Sequence, residues 1–502
     1  MTGHTASQLA SRRGFTWAVG RLRSLTVPAW RVQILMLGAV LTSLPWVRTV
    51  DNDYWYHVRT GRLIVESGIP GRDPYSWTAI GKPWVPHEWL AEVAMYAAQS
   101  VLGFAGVVML LMPLVLLALL IPFAAARRRG VGTRPLVALQ LLAVLAFASF
   151  EPIRPQAFSW LFFSVFVAVL LDHEAGRPAM VWALPPIMLI WVNVHLGFYF
   201  GFLVLMCWFL GSAWDRLRGR QSPLVLATLV SVASLAAAFV NPSGPEILAY
   251  PLRFAIQSPA GTAVVTEFQH PSLTQPAQWP IFIIVALLLA ALASPQRPRA
   301  WLSILTLVVI ALGFRSVRHM QFATLLLLPV CGPALAARWD WASSARDSAV
   351  RVPALVAGAL VGVAFLIAGF LTLQNTGGGV SLYEPNAKGY PAGGAEYVRQ
   401  NYPDARMFND FNSSHFLIYT LYPDQRVFID GRFDFYGNEL MSDYLKVHAA
   451  EPGWQEVLND YGVEVVLVTR DLPVARALAR ETAWQLVFDG SNDVVYARTR
   501  LG

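Results

Sequence analysis

The chain has 502 residues, of which 55% are hydrophobic and only 14% are charged, with a formal net charge of +7 at pH 7. Soluble domains carry about 25% charged residues, so this composition excludes an ordinary soluble protein and predicts an integral membrane protein. The charge is uneven, because the tail from Gly377 onward holds 11 Lys and Arg against 17 Asp and Glu. The basic excess therefore belongs to the apolar part, where membrane orientation accounts for it, and we predict no nucleic-acid partner.

Apolar runs recur along the chain, and their length of about 17–22 residues matches helices that cross a bilayer. They predict an α-helical polytopic membrane protein with about 11 transmembrane helices in residues 31–375. The predicted spans are 31–50, 103–126, 134–150, 156–172, 179–193, 197–214, 223–240, 279–294, 299–314, 320–337 and 353–373. Cys207 and Cys331 fall inside these spans, which predicts small buried core residues and neither a disulfide nor a metal site.

The distribution of Lys and Arg among the loops predicts the orientation of the bundle. A basic N-terminus, residues 1–30, precedes the first span, and the most basic loops follow on the same side when the spans alternate. The positive-inside rule therefore predicts a cytoplasmic N-terminus, a plasma-membrane location and, with an odd number of spans, a tail on the outer side. We interpret the first span as a retained anchor rather than a signal peptide.

Two long loops, 51–89 and 241–278, fall on the predicted outer side. In the first of them, Asp51 or Asp53 is placed to cap a helix that runs to Ser67, where glycine and proline follow as stop signals. The later segment HEWLAEVAMYAAQ predicts a second helix that lies at the membrane interface.

The tail, residues 376–502, follows a GGG linker and predicts a soluble extracytoplasmic α/β domain of ordinary size. The predicted strands are RMFND, RVFID, VEVVLVT, WQLVF and VVYAR, and the predicted helices lie near 392–401, 414–422, 437–461 and 472–481. Within the tail, the segment FIDGRFDFYG is dense in Asp, Arg and aromatic residues. This composition suits sugar binding and suits an ordinary domain interface equally.

The segment DNDYWYH, residues 51–57, combines two carboxylates, three aromatic rings and a histidine at the outer end of the first predicted span. One interpretation is structural, with Asp51 as a helix cap and the rings as an interfacial belt. The other is functional, because two carboxylates exceed the need of one cap. Asp51 and Asp53 then act as a general base toward a hydroxyl or as ligands of a divalent ion, and apolar surroundings are expected to raise their pKa.

Three arginines, Arg154, Arg315 and Arg318, lie on the predicted outer side, against the usual bias of basic residues toward the cytoplasm. Guanidinium groups bind phosphate well, so these residues predict a site for a lipid phosphate. Other candidates for a pocket on that side are Glu151, His195, Asn241, Glu246, Glu267, His270 and His319. For His195 and the second-loop residues, a purely structural role is an equal alternative.

Several familiar motifs are missing from the sequence. The chain has no GxxxxGK[ST], HExxH or GxSxG pattern, which argues against ATP as an energy source, a zinc-protease site and a serine-hydrolase elbow. Polar residues within the predicted spans are few, which argues against an ion-coupled transporter.

Taken together, the acidic pair, the long first outer loop, the many spans, the outer arginines and the tail domain resemble the GT-C-type membrane glycosyltransferases. The more specific similarity is to a bacterial, largely uncharacterised subset of that group. The segments that carry it extend over nearly the whole chain: DNDYWYHVRTGRLIVESGIPGRDPYSWTAIGKPWVPHEWLAE, EPIRPQAFS, WVNVHLGF, NPSGPEILAYP and VFIDGRFDFYG.

The resemblance implies transfer of a hexose or pentose from a polyprenyl-phosphate-linked donor to a lipid, glycan or protein acceptor on the outer face of the membrane. It implies that Asp51 or Asp53 is the general base, with Asp53 slightly favoured, and that the three arginines offset the charge of the departing phosphate. The residues implied to position sugar or acceptor are His57, His87, Glu88, His195 and Glu267. No cofactor is certain; where members of this group use Mg²⁺ or Mn²⁺, Asp51 and Asp53 are the implied ligands.

A non-catalytic function is the alternative. A translocase of lipid-linked glycans, or an assembly partner in cell-envelope glycan synthesis, would use the same arginines to bind polyprenyl phosphate. The acidic pair distinguishes the two hypotheses, because binding an anionic lipid has no use for Asp51 and Asp53, whereas glycosyl transfer requires a base.

Overall fold

The computed structural model describes residues 50–147, 150, 153–177, 180–257, 265–338, 384 and 387–499, together with 26–28 and 349–351. The predicted spans 31–50 (except Val50) and 353–373 lie outside the described residues, as do Glu151 and the GGG linker. The short segments Thr26–Pro28 and Ala349–Arg351 pair as antiparallel strands.

The described residues include eighteen α-helices. They are α1 (Asn52–Ser67), α2 (Trp89–Leu102), α3 (Phe104–Arg128), α4 (Thr133–Phe147), α5 (Gln156–Glu174), α6 (Leu184–Val194), α7 (Tyr199–Leu217), α8 (Leu224–Ala238), α9 (Glu246–Gln257), α10 (Trp279–Leu292), α11 (Ala300–Arg315), α12 (Met320–Arg338), α13 (Ala392–Asn401), α14 (Ser414–Leu421), α15 (Phe433–Tyr436), α16 (Asn438–His448), α17 (Trp454–Asp460) and α18 (Pro473–Leu478).

Nine of the predicted spans coincide with the apolar helices α3 to α8 and α10 to α12. Among the described residues, four helical segments are long and apolar enough to cross a membrane: Phe104–Arg128, Gln156–Glu174, Leu196–Leu217 and Val317–Arg338. The other five are shorter apolar helices. Large side chains such as Trp160, Trp191 and Trp208 are fully buried between them, and both cysteines are free and buried, as predicted. The chain is thus a multi-pass membrane protein.

The first loop folds into the two predicted helices, α1 and α2. Asp51 caps α1, because its side chain accepts a hydrogen bond of 2.9 Å from the backbone N–H of Asp53. The helix ends at Ser67, before Gly68 with φ 85°, a conformation that favours glycine. The two helices pack closely where Gly61 meets Glu92: a Cβ on Gly61 would collide with the Glu92 carbonyl oxygen. Glycine at this position therefore sets the distance between α1 and α2.

The tail contains a four-stranded sheet formed by β1 (Met407–Asn409), β2 (Val465–Thr469), β3 (Trp484–Asp489) and β4 (Asp493–Arg498), in the order β1-β2-β4-β3. The strands β1 and β2 are parallel, and the other two pairings are antiparallel.

Two predictions for the tail are wrong. The segment RVFID is not a strand of the sheet, because Val427 exchanges backbone hydrogen bonds with Tyr75 and Trp77 of the first loop instead. The single helix predicted over 437–461 is two helices, α16 and α17, which are separated by a turn at Gly453 with φ 91°.

The tail packs directly on the first loop. Helix α14 lies against α1, Arg59 Nη2 donates a hydrogen bond of 2.8 Å to the Tyr422 carbonyl, and Trp77 Nε1 donates one of 3.0 Å to the Met407 carbonyl. Trp55 of α1 packs edge-on against Phe416 of α14. These contacts bring the far end of the chain to the end of the bundle where the first loop begins.

Candidate functional site

A cavity of about 600 Å³ lies where α1, the start of α2 and the tail meet the bundle. Nine of the ten residues to which the sequence assigns a role line it: Asp53, His57, His87, Glu88, Arg154, His195, Glu267, Arg315 and Arg318. The tenth, Asp51, does not line the cavity but accepts a hydrogen bond from Arg154, which does. Residues that are far apart in the sequence therefore converge on one site.

Arg154 lies at the centre of an acidic cluster. Its Nε and Nη2 atoms are 3.0 and 2.7 Å from the two carboxylate oxygens of Asp51. Its Nη1 atom is 3.2 Å from Asp53 Oδ2 and 3.1 Å from Glu267 Oε2. One guanidinium thus faces three carboxylates, so the cluster keeps a surplus of negative charge. Because these carboxylates engage Arg154, its predicted role in binding phosphate receives no support from this geometry.

The second oxygen of Asp53 faces the tail. His415 of α14 places Nδ1 3.1 Å from Asp53 Oδ1. The opposite ring nitrogen, Nε2, accepts a hydrogen bond of 3.0 Å from the backbone N–H of Gly431, so the neutral ring carries its proton on Nδ1, toward Asp53. A Cβ on Gly431 would collide with this ring, so glycine is needed for the approach.

These neighbours keep Asp53 ionised. Burial on its own would raise the pKa of Asp53, but the adjacent Arg154 guanidinium and the His415 ring outweigh burial and hold that pKa below its ordinary value. The expectation from the sequence, that apolar surroundings raise the pKa of this carboxyl, is therefore wrong for Asp53. The sequence pattern alone did not pair Asp53 with a cation.

Arg315 and Arg318 also line the cavity. Arg318 Nη1 is 3.4 Å from Glu267 Oε1, and its guanidinium lies 5.1 Å from the centre of the Phe268 ring. Arg315 is exposed toward the cavity, and no carboxylate of the described residues lies within ion-pair distance of it. These two guanidiniums retain donors for an anionic ligand.

A second cluster surrounds His57. Its Nδ1 atom is 3.3 Å from Glu92 Oε1 and 3.5 Å from Glu88 Oε2. Burial alone would lower the pKa of His57, but the two carboxylates raise it above its ordinary value. Burial also raises the pKa of Glu92. A proton shared between His57 and Glu92 is thus one way to stabilise this buried cluster.

The same cluster fits a divalent cation. One ligand atom each from His57, Glu88 and Glu92 lie within 4.8 Å of one another, and Glu92 Oε2 is buried without a hydrogen-bond partner. A mixed nitrogen and oxygen donor set suits Zn²⁺ or Mn²⁺ better than Mg²⁺, which prefers oxygen ligands alone. By contrast, the guanidinium of Arg154 lies against both Asp51 and Asp53, the ligands that the resemblance implies.

His195 joins this cluster from the turn between α6 and α7. Its Nδ1 atom accepts a hydrogen bond of 2.8 Å from the Gly197 N–H and lies 2.7 Å from Ser159 Oγ. Its Nε2 atom lies 3.4 Å from Glu88 Oε1. Because Nδ1 acts as an acceptor, the neutral ring directs its proton at Glu88, which favours a positioning role over an isolated polar turn.

The cavity is also lined by charged or titratable residues that received no role from the sequence, among them Glu92, His415 and Arg432. Glu92 was accessible to pattern reasoning, since it follows Glu88 by one helical turn. Arg432 belongs to FIDGRFDFYG, whose composition was noted without a functional assignment. Nothing local marks His415, because its role depends on where the tail docks.

No known protein family matches the chain, and no curated protein matches it in sequence. Among solved structures, the chain is similar to the archaeal oligosaccharyltransferase AglB from Archaeoglobus fulgidus, solved in complex with an inhibitory peptide and a dolichol-phosphate. The identity is 14%, the TM-score is 0.58, and the alignment covers 88% of this chain and 69% of AglB.

The chain is also similar to ArnT from Cupriavidus metallidurans, solved bound to undecaprenyl phosphate and in the apo state. The identities are 16% and 18%, each TM-score is 0.48, and the alignments cover 93% of this chain and 98% and 97% of ArnT. The similarity to AglB shows that the chain has the GT-C-type fold that the resemblance in sequence predicted.

Proposed function

We propose that this chain is a glycosyltransferase that moves a sugar from a polyprenyl-phosphate-linked donor to an acceptor at the cavity beside Asp53, on the outer face of the membrane. The observation that carries the proposal is the convergence of an ionised carboxylate and two arginines with available donors in one cavity. AglB, which shares the fold, was solved with a dolichol-phosphate. That ligand supports a lipid phosphate as the anion to be bound.

In the proposed reaction, an acceptor hydroxyl oxygen forms a bond to the anomeric carbon of the sugar while the bond from that carbon to the phosphate oxygen breaks. The electron pair of the broken bond stays with polyprenyl phosphate, which leaves. Asp53 accepts the hydroxyl proton. Because the pKa of Asp53 is lowered, it orients the hydroxyl first and takes the proton only as the new bond forms.

Arg315 and Arg318 stabilise the charge that develops on the departing phosphate. Their guanidiniums line the cavity, and Glu267 links Arg318 to Arg154, which in turn contacts Asp53. A phosphate bound at Arg315 and Arg318 is thereby kept apart from the carboxylate that receives the proton. In this proposal Arg154 acts mainly by holding Asp53 and Glu267 in place. A direct contact between Arg154 and the phosphate is of secondary importance.

We further propose that His57, Glu88 and Glu92 hold a divalent cation in this cavity. The bound cation would supply positive charge near the sugar or its phosphate. The residues themselves fix the geometry, since α1 and α2 are held together at Gly61 and Glu92.

Transfer by the purified protein tests the proposal. The wild-type chain in detergent is incubated with a panel of radiolabelled polyprenyl-phosphate sugars and with lipid, glycan and peptide acceptors. Movement of label from the lipid phosphate to an acceptor is the expected result. Donor binding without movement of label across the panel would favour the non-catalytic translocase or assembly partner.

A further inference from the structure

The segment FIDGRFDFYG places a buried arginine at the wall of the cavity. Arg432 is 8% exposed, and it lines the cavity together with Tyr56, Trp84 and His415. Its Nε and Nη2 atoms bind the two oxygens of Asp430 at 2.8 and 2.6 Å. A second bond of 2.6 Å runs from Nη2 to Asp73 of the first loop. Arg432 thus joins the tail to the first loop.

The third nitrogen of this guanidinium has no partner. Nη1 of Arg432 is buried, and no acceptor of the described residues is within hydrogen-bond reach. A buried donor of a charged group is costly to leave unsatisfied. Because the residue faces a cavity, a ligand atom is the natural acceptor for Nη1.

Aromatic rings surround the same guanidinium. Its carbon lies 4.9 Å from the Trp84 ring centre and 5.8 Å from that of Tyr56, and both rings line the cavity. Tyr56 also stacks on His415, with ring centres 4.7 Å apart. Flat apolar faces beside a hydrogen-bond donor are the surroundings that suit a sugar ring, whose C–H face packs on aromatics while its hydroxyls bond to polar groups.

Charge decides what kind of ligand this part of the cavity takes. Two carboxylates, Asp430 and Asp73, face the single guanidinium of Arg432, so the group as a whole is negative. An anionic ligand would be repelled here, whereas a neutral hydroxyl oxygen can accept from Nη1 without that penalty.

The position of Arg432 relative to Asp53 indicates which of the two substrates binds beside it. A chain of contacts runs from Arg318 through Glu267, Arg154, Asp53 and His415 to Gly431, the neighbour of Arg432. Along this chain of contacts, Asp53 lies between Arg318 and the tail segment that carries Arg432, and His415, which contacts Asp53, also stacks on Tyr56 beside Arg432. We infer that Arg432, Tyr56 and Trp84 form the acceptor subsite and that the acceptor is a neutral, hydroxyl-bearing sugar of a glycan or glycolipid. This inference rests on the proposed function and narrows its acceptor.

Equilibrium binding of neutral glycosides to the full chain tests the inference. Methyl glycosides and short neutral oligosaccharides are added to the purified protein, and binding is measured by ligand-observed NMR, with uronic acids and Ser-containing peptides for comparison. Binding of neutral glycosides to the wild type, and a loss of about 10- to 100-fold in Arg432→Lys, are expected, because Lys keeps the charge for Asp430 but removes Nη1. Arg498→Lys is the matched control, since Arg498 lies 5.1 Å from the Trp484 ring outside the cavity.

A second variant and a second measurement keep the test decisive. Trp84→Phe leaves the ion pairs of Arg432 intact and is expected to weaken glycoside binding. This variant carries the test if Arg432→Lys does not fold. Wild-type affinity for neutral glycosides that is unchanged in both variants, or preference for uronic acids or peptides, would overturn the inference.

Donor binding is measured in the same samples with polyprenyl phosphate. Sugar transfer to lipid or peptide acceptors only would overturn the subsite and leave the proposed function standing. Glycoside binding that depends on Arg432, without donor binding or transfer, would support the subsite and contradict the proposed function.

Discussion

The Nδ1 atom of His415 lies 3.1 Å from Oδ1 of Asp53, so a side chain of the tail reaches the carboxylate at the start of the first loop. The Gly431 N–H donates a hydrogen bond to the opposite ring nitrogen, Nε2, and so fixes the ring. Two segments of the tail and one of the first loop thereby meet at a single carboxylate. The tail is part of the cavity, and without it Arg154 would be the one cation of the described residues within ion-pair distance of Asp53.

Replacing Arg154 is expected to move the acid limb of sugar transfer to higher pH. Burial alone raises the pKa of Asp53, and Arg154 is the foremost of the groups that lower it. Asp53 accepts a proton only when ionised, so transfer falls as the pH drops through its pKa. In Arg154→Gln that pKa rises, and the fall begins at a higher pH. The pH profile of kcat/KM measures the shift.

Arg128→Gln is the control for this profile, because Arg128 pairs with Asp172 outside the cavity. It leaves the acid limb where it is in the wild type. An unshifted limb in Arg154→Gln would show that the group titrating in the profile is not Asp53.

Arg315→Gln and Arg318→Gln are expected to weaken binding of polyprenyl phosphate. A hydrogen bond to a charged group contributes about 1.5–3 kcal/mol, so each variant should lose about 10-fold or more in affinity. The loss is larger for Arg315, because Glu267 already offsets part of the charge of Arg318. Titration of the protein with polyprenyl phosphate at constant salt gives the affinities, and equal affinity in both variants and the wild type would place the phosphate elsewhere.

Excess Mn²⁺ or Zn²⁺ is expected to raise the unfolding temperature of the chelator-treated protein. A cation that binds only the folded state stabilises it by mass action. The rise should vanish in Glu92→Gln, which removes one ligand, and persist in Asp51→Asn, whose carboxylate binds Arg154. The reverse pattern, with loss in Asp51→Asn only, would assign the cation to the acidic pair.

Gly61→Ala is expected to destabilise the fold by about 1–3 kcal/mol, because the new Cβ meets the Glu92 carbonyl and lies 2.8 Å from Tyr96 Cβ. Gly71→Ala is the matched control, since a Cβ there has no neighbour within 4 Å. The unfolding temperature in detergent compares the two variants. A Gly61→Ala protein as stable as Gly71→Ala would mean that α1 and α2 can move apart without cost.

Much of the bundle was predictable from hydropathy, because a helix in lipid must satisfy its own backbone and therefore leaves a long apolar run in the sequence. The start and end of α1 were also predictable, since Asp51 and Gly68 act through local backbone chemistry. The conformation of the segment RVFID was not predictable. Its β-prone pattern is real, but its backbone hydrogen bonds go to the first loop, a partner that no local signal identifies.

The candidate site was likewise predictable in part. The carboxylates and arginines on the predicted outer side stood out because they depart from the usual membrane patterning, and nine of the ten predicted residues line one cavity. The pairing among them could not be predicted, because it depends on the distance between α1, the turn before α5 and the tail. For that reason the pKa of Asp53 was expected to move in the wrong direction, and His415 was missed.

The most direct test compares Asp53→Asn with Asp51→Asn and the wild type, by measuring both radiolabelled sugar transfer and donor binding. Asp53→Asn is expected to lower transfer by about 10²- to 10⁴-fold, the usual contribution of a general base, while donor binding stays unchanged. Asp51→Asn removes a carboxylate that caps α1 and binds Arg154, and a smaller loss is expected. Transfer at the wild-type rate in Asp53→Asn would contradict the assignment of the base. Binding without transfer in the wild type would favour the non-catalytic partner.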